Sequence, residues 1–314
     1  MLIVTGGAGF IGSNVVRGLN AAGRGDVIVV DDLTDGHKYA NLLGCSIADY
    51  WDKRDLFDRL EGLGETPEAV LHQGACAVTT EWDGRYMLAE NYQYSVDLFR
   101  YCTARGVPLI YASSAAIYGA GQEFSEDDQA LEHPLNVYGY SKLLFDRYVW
   151  RHINAASPQI VGLRYFNVYG PNEAHKGPMA SVVWHLNRQL EETGELRLFE
   201  GSHGYGDGEQ RRDFIYIDDV VSIVLWFLDH GSVSGVFNAG TGASASFNDL
   251  ANAVIDYHGT GKIRYIPFPN ELKSSYQSFT EADISALRGA GYTAPFDDIG
   301  SGVRKYLDAL KTGL

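Results

Sequence analysis

The sequence predicts an α/β fold, a doubly wound parallel sheet followed by a smaller α/β lobe. Three observations predict it. Apolar runs of strand length alternate with helical stretches across the first half of the chain. Those runs are continuous rather than alternating, as strands covered on both faces are. A glycine-rich loop joins the first run to the first helical stretch, the arrangement of a βαβ unit.

In chain order, strands are expected over Leu2–Thr5, Val27–Asp31, Ala69–His72, Pro108–Ala112 and Ile160–Phe166. The longer helices between them are Phe10–Ala22, Gly84–Arg105 and Tyr138–Ala156. Beyond residue 170 the rhythm loosens to a helix at Ala180–Glu192, short strands near Leu196–Phe199 and Gly235–Asn238, and helices toward the end. This divides the chain into a sheet domain over 1–170, joined by parts of 210–245, and a lobe made mainly of 171–314.

The 314 residues suffice for a large core, with 45% hydrophobic and 21% charged residues in ordinary globular proportion. A net charge of −15 argues against nucleic acid as a partner. Cys45, Cys76 and Cys102 are odd in number and lack metal-site spacing, so they are expected to be free thiols in a reducing compartment, with no metal. Leu2-Ile3-Val4 runs straight into the glycine loop, unlike a secretory leader, and no apolar run is long enough to span a bilayer. The expected location is cytoplasmic, off the membrane.

Thr5-Gly6-Gly7-Ala8-Gly9-Phe10-Ile11-Gly12 follows the first strand and opens a helix. The glycines allow a tight turn and close backbone approach, and the helix N-terminus presents N–H groups to a pyrophosphate. Strand, loop, helix, second strand and the acidic Asp31 at its end occur in register, which points to a dinucleotide on a Rossmann-type sheet. Asp31 suits the ribose hydroxyls of NAD, whereas Lys38 and the Lys53-Arg54 pair suit a 2′-phosphate. The residues alone leave NAD and NADP both open.

Tyr138 and Lys142 stand four residues apart at the start of a predicted helix and share one face. In a chain with 20 Tyr the spacing carries little by itself. Its position carries more: this Tyr-x-x-x-Lys occurs once, on the helix after the Pro108–Ala112 strand, which Ser113-Ser114 closes. Ligands of open α/β sheets collect at such strand ends. A tyrosine working as a base near neutrality needs a shift of about 3 pKa units, roughly 4 kcal/mol. One positive charge about 4 Å away at an effective dielectric of about 20 supplies that much. Lys142 is one such charge, an oxidised nicotinamide another, and Ser114 can donate to a developing carbonyl oxygen.

Gly6-x-x-Gly9-x-x-Gly12, Ser114, Tyr138-x-x-x-Lys142 and Arg212-Asp213-Phe214-Ile215-Tyr216-Ile217-Asp218-Asp219-Val220 together resemble the extended short-chain dehydrogenase/reductases. Further strings bring the resemblance to the branch that epimerises ADP-heptose at C6 for the lipopolysaccharide core. They include Val30-Asp31-Asp32-Leu33, Thr79-Thr80-Glu81-Trp82-Asp83-Gly84, Tyr165-Phe166-Asn167-Val168-Tyr169-Gly170-Pro171, His175-Lys176-Gly177 and Leu198-Phe199-Glu200-Gly201-Ser202. The resemblance implies NADP, rather than NAD, held by Gly6, Gly9, Phe10, Ile11, Gly12, Asp31, Asp32, Lys38 and Lys53. Gln73, Gly74, Ala75, Cys76, Ala77, Asn91, Lys142, Val168 and Lys176 would complete that site. It implies substrate contacts from Asn167, His185, Phe199, Glu200, Gly201, Ser202, Arg212 and Tyr276 in a substrate-binding lobe, and a homo-oligomer. Three positions depart from the pattern: Gln73 replaces a glutamate, Pro178 a serine, and 203–210 is longer than usual, which puts the setting of Arg212 in question.

Such an enzyme would oxidise the carbinol to a ketone and reduce it from the opposite face. Tyr138 is expected to act on one face and Lys176 on the other. A UDP-sugar 4-epimerase is the alternative, since it fits Ser114, Tyr138 and Lys142 equally well.

Overall fold

A computed structural model describes residues 1–154, 157–269 and 276–313. It contains a seven-stranded sheet, two small sheets and the helices around them. The strands are β1 (Leu2–Thr5), β2 (Val27–Asp31), β3 (Asp49–Asp52), β4 (Ala69–His72), β5 (Leu109–Ser114), β6 (Ile160–Tyr165), β7 (Asn167–Tyr169), β8 (Glu195–Phe199), β9 (Arg211–Tyr216), β10 (Gly235–Ala239), β11 (Ser244–Ser246) and β12 (Lys262–Ile266). The helices are α1 (Phe10–Ala21), α2 (Leu56–Glu61), α3 (Gly84–Leu88), α4 (Tyr94–Arg105), α5 (Val137–His152), α6 (Val182–Thr193), α7 (Ile217–Asp229), α8 (Phe247–His258), α9 (Ser285–Gly289) and α10 (Ile299–Thr312).

The large sheet runs β10-β6-β5-β4-β1-β2-β3. From β3 to β5 its neighbours pair in parallel, with Ile3 opposite both Ile28 and Val70. Strand order reverses between β1 and β4, the switch point where open α/β sheets bind ligands. Every residue of β1, β2, β4 and β6 is buried, which is why these strands were legible as unbroken apolar runs. Strand β3 was not foreseen: Asp49-Tyr50-Trp51-Asp52 lies at the sheet edge and buries only Trp51, so it has no apolar run to betray it.

The chain divides into two compact units. The first takes in Met1–Ile117, Asn136–Arg164 and Val221–Phe237. Its core joins Ile3, Ile28, Val70 and Leu109 of the sheet to Leu98 and Phe99 of α4 and Phe145 and Val149 of α5. The stretch Gly84–Arg105, expected as one helix, is α3 and α4 joined by a π-helical turn over Ala89–Gln93. Such turns recur at functional sites, and this one carries Asn91. The helix expected over Tyr138–Ala156 runs Val137–His152, capped by the Asn136 side chain, which accepts from the Gly139 amide at 2.8 Å. Ala155 and Ala156 lie outside the described residues.

The second unit comprises Tyr118–Leu135, Tyr165–Val220 and Asn238–Leu314. It holds a three-stranded sheet, β11-β9-β7, and a parallel pair, β12-β8. Strand β9 pairs antiparallel with β11 and parallel with β7. Helix α8 opens with a reciprocal capping box between Ser246 and Asp249 and packs on α6 and α10. Strands β7, β11 and β12 were not foreseen, because they are three to five residues long and mostly half-exposed.

Candidate active site

In the first unit, the glycine loop forms the turn that the sequence calls for. Gly6 has φ +65°, and a Cβ there would lie 2.6 Å from Gly74 in the loop after β4. A Cβ on Gly12 would lie 2.1 Å from the Gly6 carbonyl oxygen. The loop is therefore packed backbone against backbone at the switch point. Gly9 is the N-cap of α1; no side chain caps that first turn and no acidic residue enters it. A phosphate fits such an N-terminus, so the cradle suits the pyrophosphate of a dinucleotide.

Asp31, at the end of β2, is tied to this loop. Its Oδ2 accepts from the Ala8 amide at 2.7 Å, and its Oδ1 pairs with Lys38 Nζ at 2.6 Å. Lys53 Nζ lies 3.1 Å from Asp32 and 2.8 Å from Glu90. Burial opposes the Lys53 charge, but Glu90 and Asp32 outweigh it and hold the ammonium above its usual pKa. Thr34 and Lys53 in turn hold the Asp32 carboxyl well below the usual range. Both lysines thus stand at the end of β2, where a ribose would lie, each already paired with carboxylates. Gly74–Ala77 follows β4. There Asn91 clips the Cys76 backbone, accepting from its amide at 2.8 Å and donating to its carbonyl at 3.0 Å, and donates to Ser141 at 3.1 Å.

Strand β5 and helix α5 bring the candidate acid–base groups together. The Ser114 hydroxyl hydrogen-bonds the Tyr138 phenol and also caps the next turn by accepting from the Ala116 amide at 3.1 Å. Lys142 is buried, and its Nζ donates to the Ala112 carbonyl at 2.9 Å. Burial pushes the ammonium down to about 8, against the opposing field of Asp146. Burial pushes the Tyr138 phenol above its usual value, and the Ser114 hydrogen bond only partly offsets this. The Lys142 ammonium is directed at Ala112, and desolvation dominates the setting of the phenol. His72 is also buried, bonded to Thr5 at 2.6 Å and Ser95 at 2.9 Å. Burial, and then the Lys142 charge, lower it to about 3, which keeps it a neutral, structural imidazole.

The second unit holds the residues expected to contact a substrate. Arg212 on β9 is buried, with its guanidinium carbon 4.9 Å from the Tyr276 ring and 5.8 Å from the Phe247 ring. Among the described residues it makes no ion pair with a carboxylate. A buried guanidinium stacked on aromatics is suited to bidentate capture of an anion. The segment 203–210, whose length put Arg212 in question, folds back on the Phe199–Ser202 turn. The Gly208 amide donates to Phe199 at 3.0 Å, the Gly201 amide to Asp207 at 2.8 Å, and Gln210 to Ser202 at 3.1 Å. Asn167 is exposed and accepts from Thr280 at 3.4 Å, Val168 pairs with Ile215 across β7 and β9, and His185 is half-buried on α6. Lys176 lies in the 3₁₀ segment Ala174–Met179, which is broken at Gly177 (φ 53°). Burial lowers its pKa, and nearby Glu173 raises it. Pro178 is exposed beside it. One residue pair escaped sequence reasoning altogether: Asp146 and Arg164, fully buried below Lys142.

Residues 2–240 match the model of the NAD dependent epimerase/dehydratase family. The chain is 60% identical over 313 residues to an ADP-L-glycero-D-manno-heptose-6-epimerase of Alkalilimnicola ehrlichii, covering 99% of this chain and 97% of that protein. It is 32% identical to the Helicobacter pylori ADP-L-glycero-D-manno-heptose-6-epimerase, whose crystal structure superposes with a TM-score of 0.85 over 99% of this chain and 96% of the other. A Thermus thermophilus UDP-glucose 4-epimerase, solved with NAD, superposes with a TM-score of 0.81 at 27% identity, covering 100% and 99% of the two chains. Among the described residues no helix is long and apolar enough to cross a membrane. The glycine cradle, the parallel sheet and the extent of these matches agree, and the chain belongs to the NAD dependent epimerase/dehydratase family.

Proposed function

We propose that the chain inverts C6 of an ADP-heptose, converting ADP-D-glycero-D-manno-heptose to ADP-L-glycero-D-manno-heptose for the lipopolysaccharide core. The observation that carries this is 60% identity over nearly the whole length of a protein bearing that 6-epimerase name. The Tyr138–Ser114 hydrogen bond beside buried Lys142 supports the chemistry. An unactivated carbinol carbon is too weak an acid for direct deprotonation, so inversion passes through a planar ketone. A bound dinucleotide supplies hydride acceptance and return. The chain's own residues manage the proton: Tyr138 takes it from the hydroxyl, Ser114 donates to the oxygen as it becomes a carbonyl, and Lys142 holds positive charge beneath. Returning the hydride to the other face leaves the oxygen in a new position, and Lys176 is the second acid–base group there.

The proposed dinucleotide is NADP, on the support of Lys38 and Lys53 at the end of β2. To take a 2′-phosphate they exchange a carboxylate partner for it. Arg212 and Tyr276 would hold the diphosphate of the sugar nucleotide, with Asn167, His185 and the Phe199–Ser202 turn around the heptose. A cytoplasmic location and a homo-oligomeric state follow from the same reading, and sedimentation of the purified protein tests the latter.

The deciding experiment incubates the protein with the ADP-heptose and, separately, with UDP-galactose. Inversion of the heptose at C6 is expected, and turnover of UDP-galactose alone overturns the reading. Tyr138→Phe and Lys176→Met are each expected to abolish epimerisation. A Lys176→Met protein that epimerises at the parent rate removes the two-base scheme.

A further inference from the structure

We infer that the buried Asp146–Arg164 pair is a positioning device for the acid–base group: Arg164 holds Asp146 as an anion, and Asp146 holds Lys142 as an ammonium. This rests on the reading of Tyr138 and Lys142 given above. Tyr138, Lys142 and Asp146 follow one another at single-turn spacing on α5 and so share one face. Asp146 and Arg164 are both 0% exposed, and Arg164 Nε meets Asp146 Oδ2 at 2.9 Å. Two donors from β5 complete the carboxylate's surroundings: Tyr111 Oη at 3.0 Å and Ser113 Oγ at 2.9 Å. Ala112, whose carbonyl receives the Lys142 ammonium, lies between them in the strand.

A buried ion pair is poor evidence of stability, because desolvating two charges cancels much of their attraction. Stability therefore does not account for placing one inside this helix–sheet layer. The charge it sets beside Lys142 does. Lys142 lies in a setting that penalises its charge. Asp146 and Cys76 raise its pKa, and its field falls on His72 of β4, which stays neutral. Toward Asp146, burial raises the pKa, and Arg164, Ser113 and Tyr111 pull it back. Without Asp146, Lys142 titrates below its present value of about 8 and sheds its proton near neutrality. The Tyr138 phenol, already raised by burial, then lacks a cation one turn along its own face of α5. The rate then falls where Lys142 loses its proton, so the alkaline side of the rate profile moves to lower pH.

The test uses the full chain with its bound dinucleotide, as Asp146→Asn, as the charge-free double variant Asp146→Asn/Arg164→Met, and as Ser113→Ala, which leaves the ion pair in place. Lys142 is titrated by nitrogen NMR of the lysine amines, assigned with Lys142→Met, and turnover is followed against pH. The expected result is a Lys142 titration lower by about one pH unit or more in the double variant. The alkaline fall in rate should begin lower by a similar amount, with kcat at neutral pH falling about tenfold and KM little changed. Ser113→Ala, which keeps Asp146 ionised against Arg164, should leave both near the parent. If Asp146→Asn alone fails to fold, the double variant, which removes both members of the pair, decides. Lys142 titrating as in the parent in the double variant, or moving as far in Ser113→Ala as in the double variant, overturns the inference and leaves the pair a structural element only. Failure of the acid–base reading looks different: Tyr138→Phe then retains turnover, whatever Lys142 does.

Discussion

Ser114 shows how one hydroxyl can serve two ends. It caps the turn after β5 and bonds the Tyr138 phenol. Ser114→Ala removes the hydrogen bond that lowers the phenol's pKa. Turnover is expected to fall by about 10²–10³, the usual cost of losing a donor to a developing oxyanion. The acid limb of the pH profile should also move upward, because a phenol that is harder to ionise needs higher pH to accept the proton. An unchanged limb with a lowered rate would confine Ser114 to the carbonyl oxygen. The lysines at the end of β2 are the other residue-scale question. Lys38→Ala and Lys53→Ala should weaken NADP more than NAD, by about tenfold each for loss of a charge-assisted bond, as read by titration of the stripped protein with each dinucleotide.

Among the elements, the loop from β1 into α1 leaves least room. A methyl at Gly12 meets the Gly6 carbonyl at 2.1 Å, backbone against backbone, with no flexible side chain to yield. Gly12→Ala must therefore push α1 away from the loop and spoil the turn that a pyrophosphate would use. The protein is expected to purify without dinucleotide, checked by mass and by absorbance after denaturation, and to melt several degrees lower. Dinucleotide retained at the parent level would mean that the loop moves more easily than its packing indicates. The π-helical turn at Ala89–Gln93 works at the same scale. One extra residue in the turn aims Asn91 at the Cys76 backbone, and so ties the loop after β4 to the helix that follows it.

At the scale of the whole molecule, a net charge of −15 sets carboxylates against one another. Asp219 is an example: burial, with Asp297 and Asp218 beside it, pushes its carboxyl up to about 6 from 3.8. A raised carboxyl disfavours the folded state once it ionises, so its penalty is absent below about 3.8 and complete above about 6. Asp219→Asn can still accept the Asp297 amide, which donates to Oδ2 at 3.0 Å. Because the Lys305 charge offsets part of the penalty, a gain in Tm of about 1–2 °C is expected at pH 7 and none near pH 4. Calorimetric melts at the two pH values check it, and a gain that persists in acid would point to packing instead of charge.

The sequence by itself determined the parallel sheet and the glycine cradle, because both are written in contiguous residues. Buried parallel strands must be unbroken apolar runs, and a turn that admits no Cβ must be glycine at Gly6 and Gly12. It also placed Tyr138 and Lys142 on one face, since helical spacing is local. The tertiary structure alone decided what those two groups feel. Lys142 points at Ala112, and Asp146 and Arg164 meet across a helix and a strand. The Tyr138 phenol rises in pKa because burial outweighs the Ser114 hydrogen bond. Edge strand β3 and the short strands β7, β11 and β12 were hidden for the same reason. Pairing and burial depend on neighbours distant in sequence, and no periodicity within a short, half-exposed segment records them.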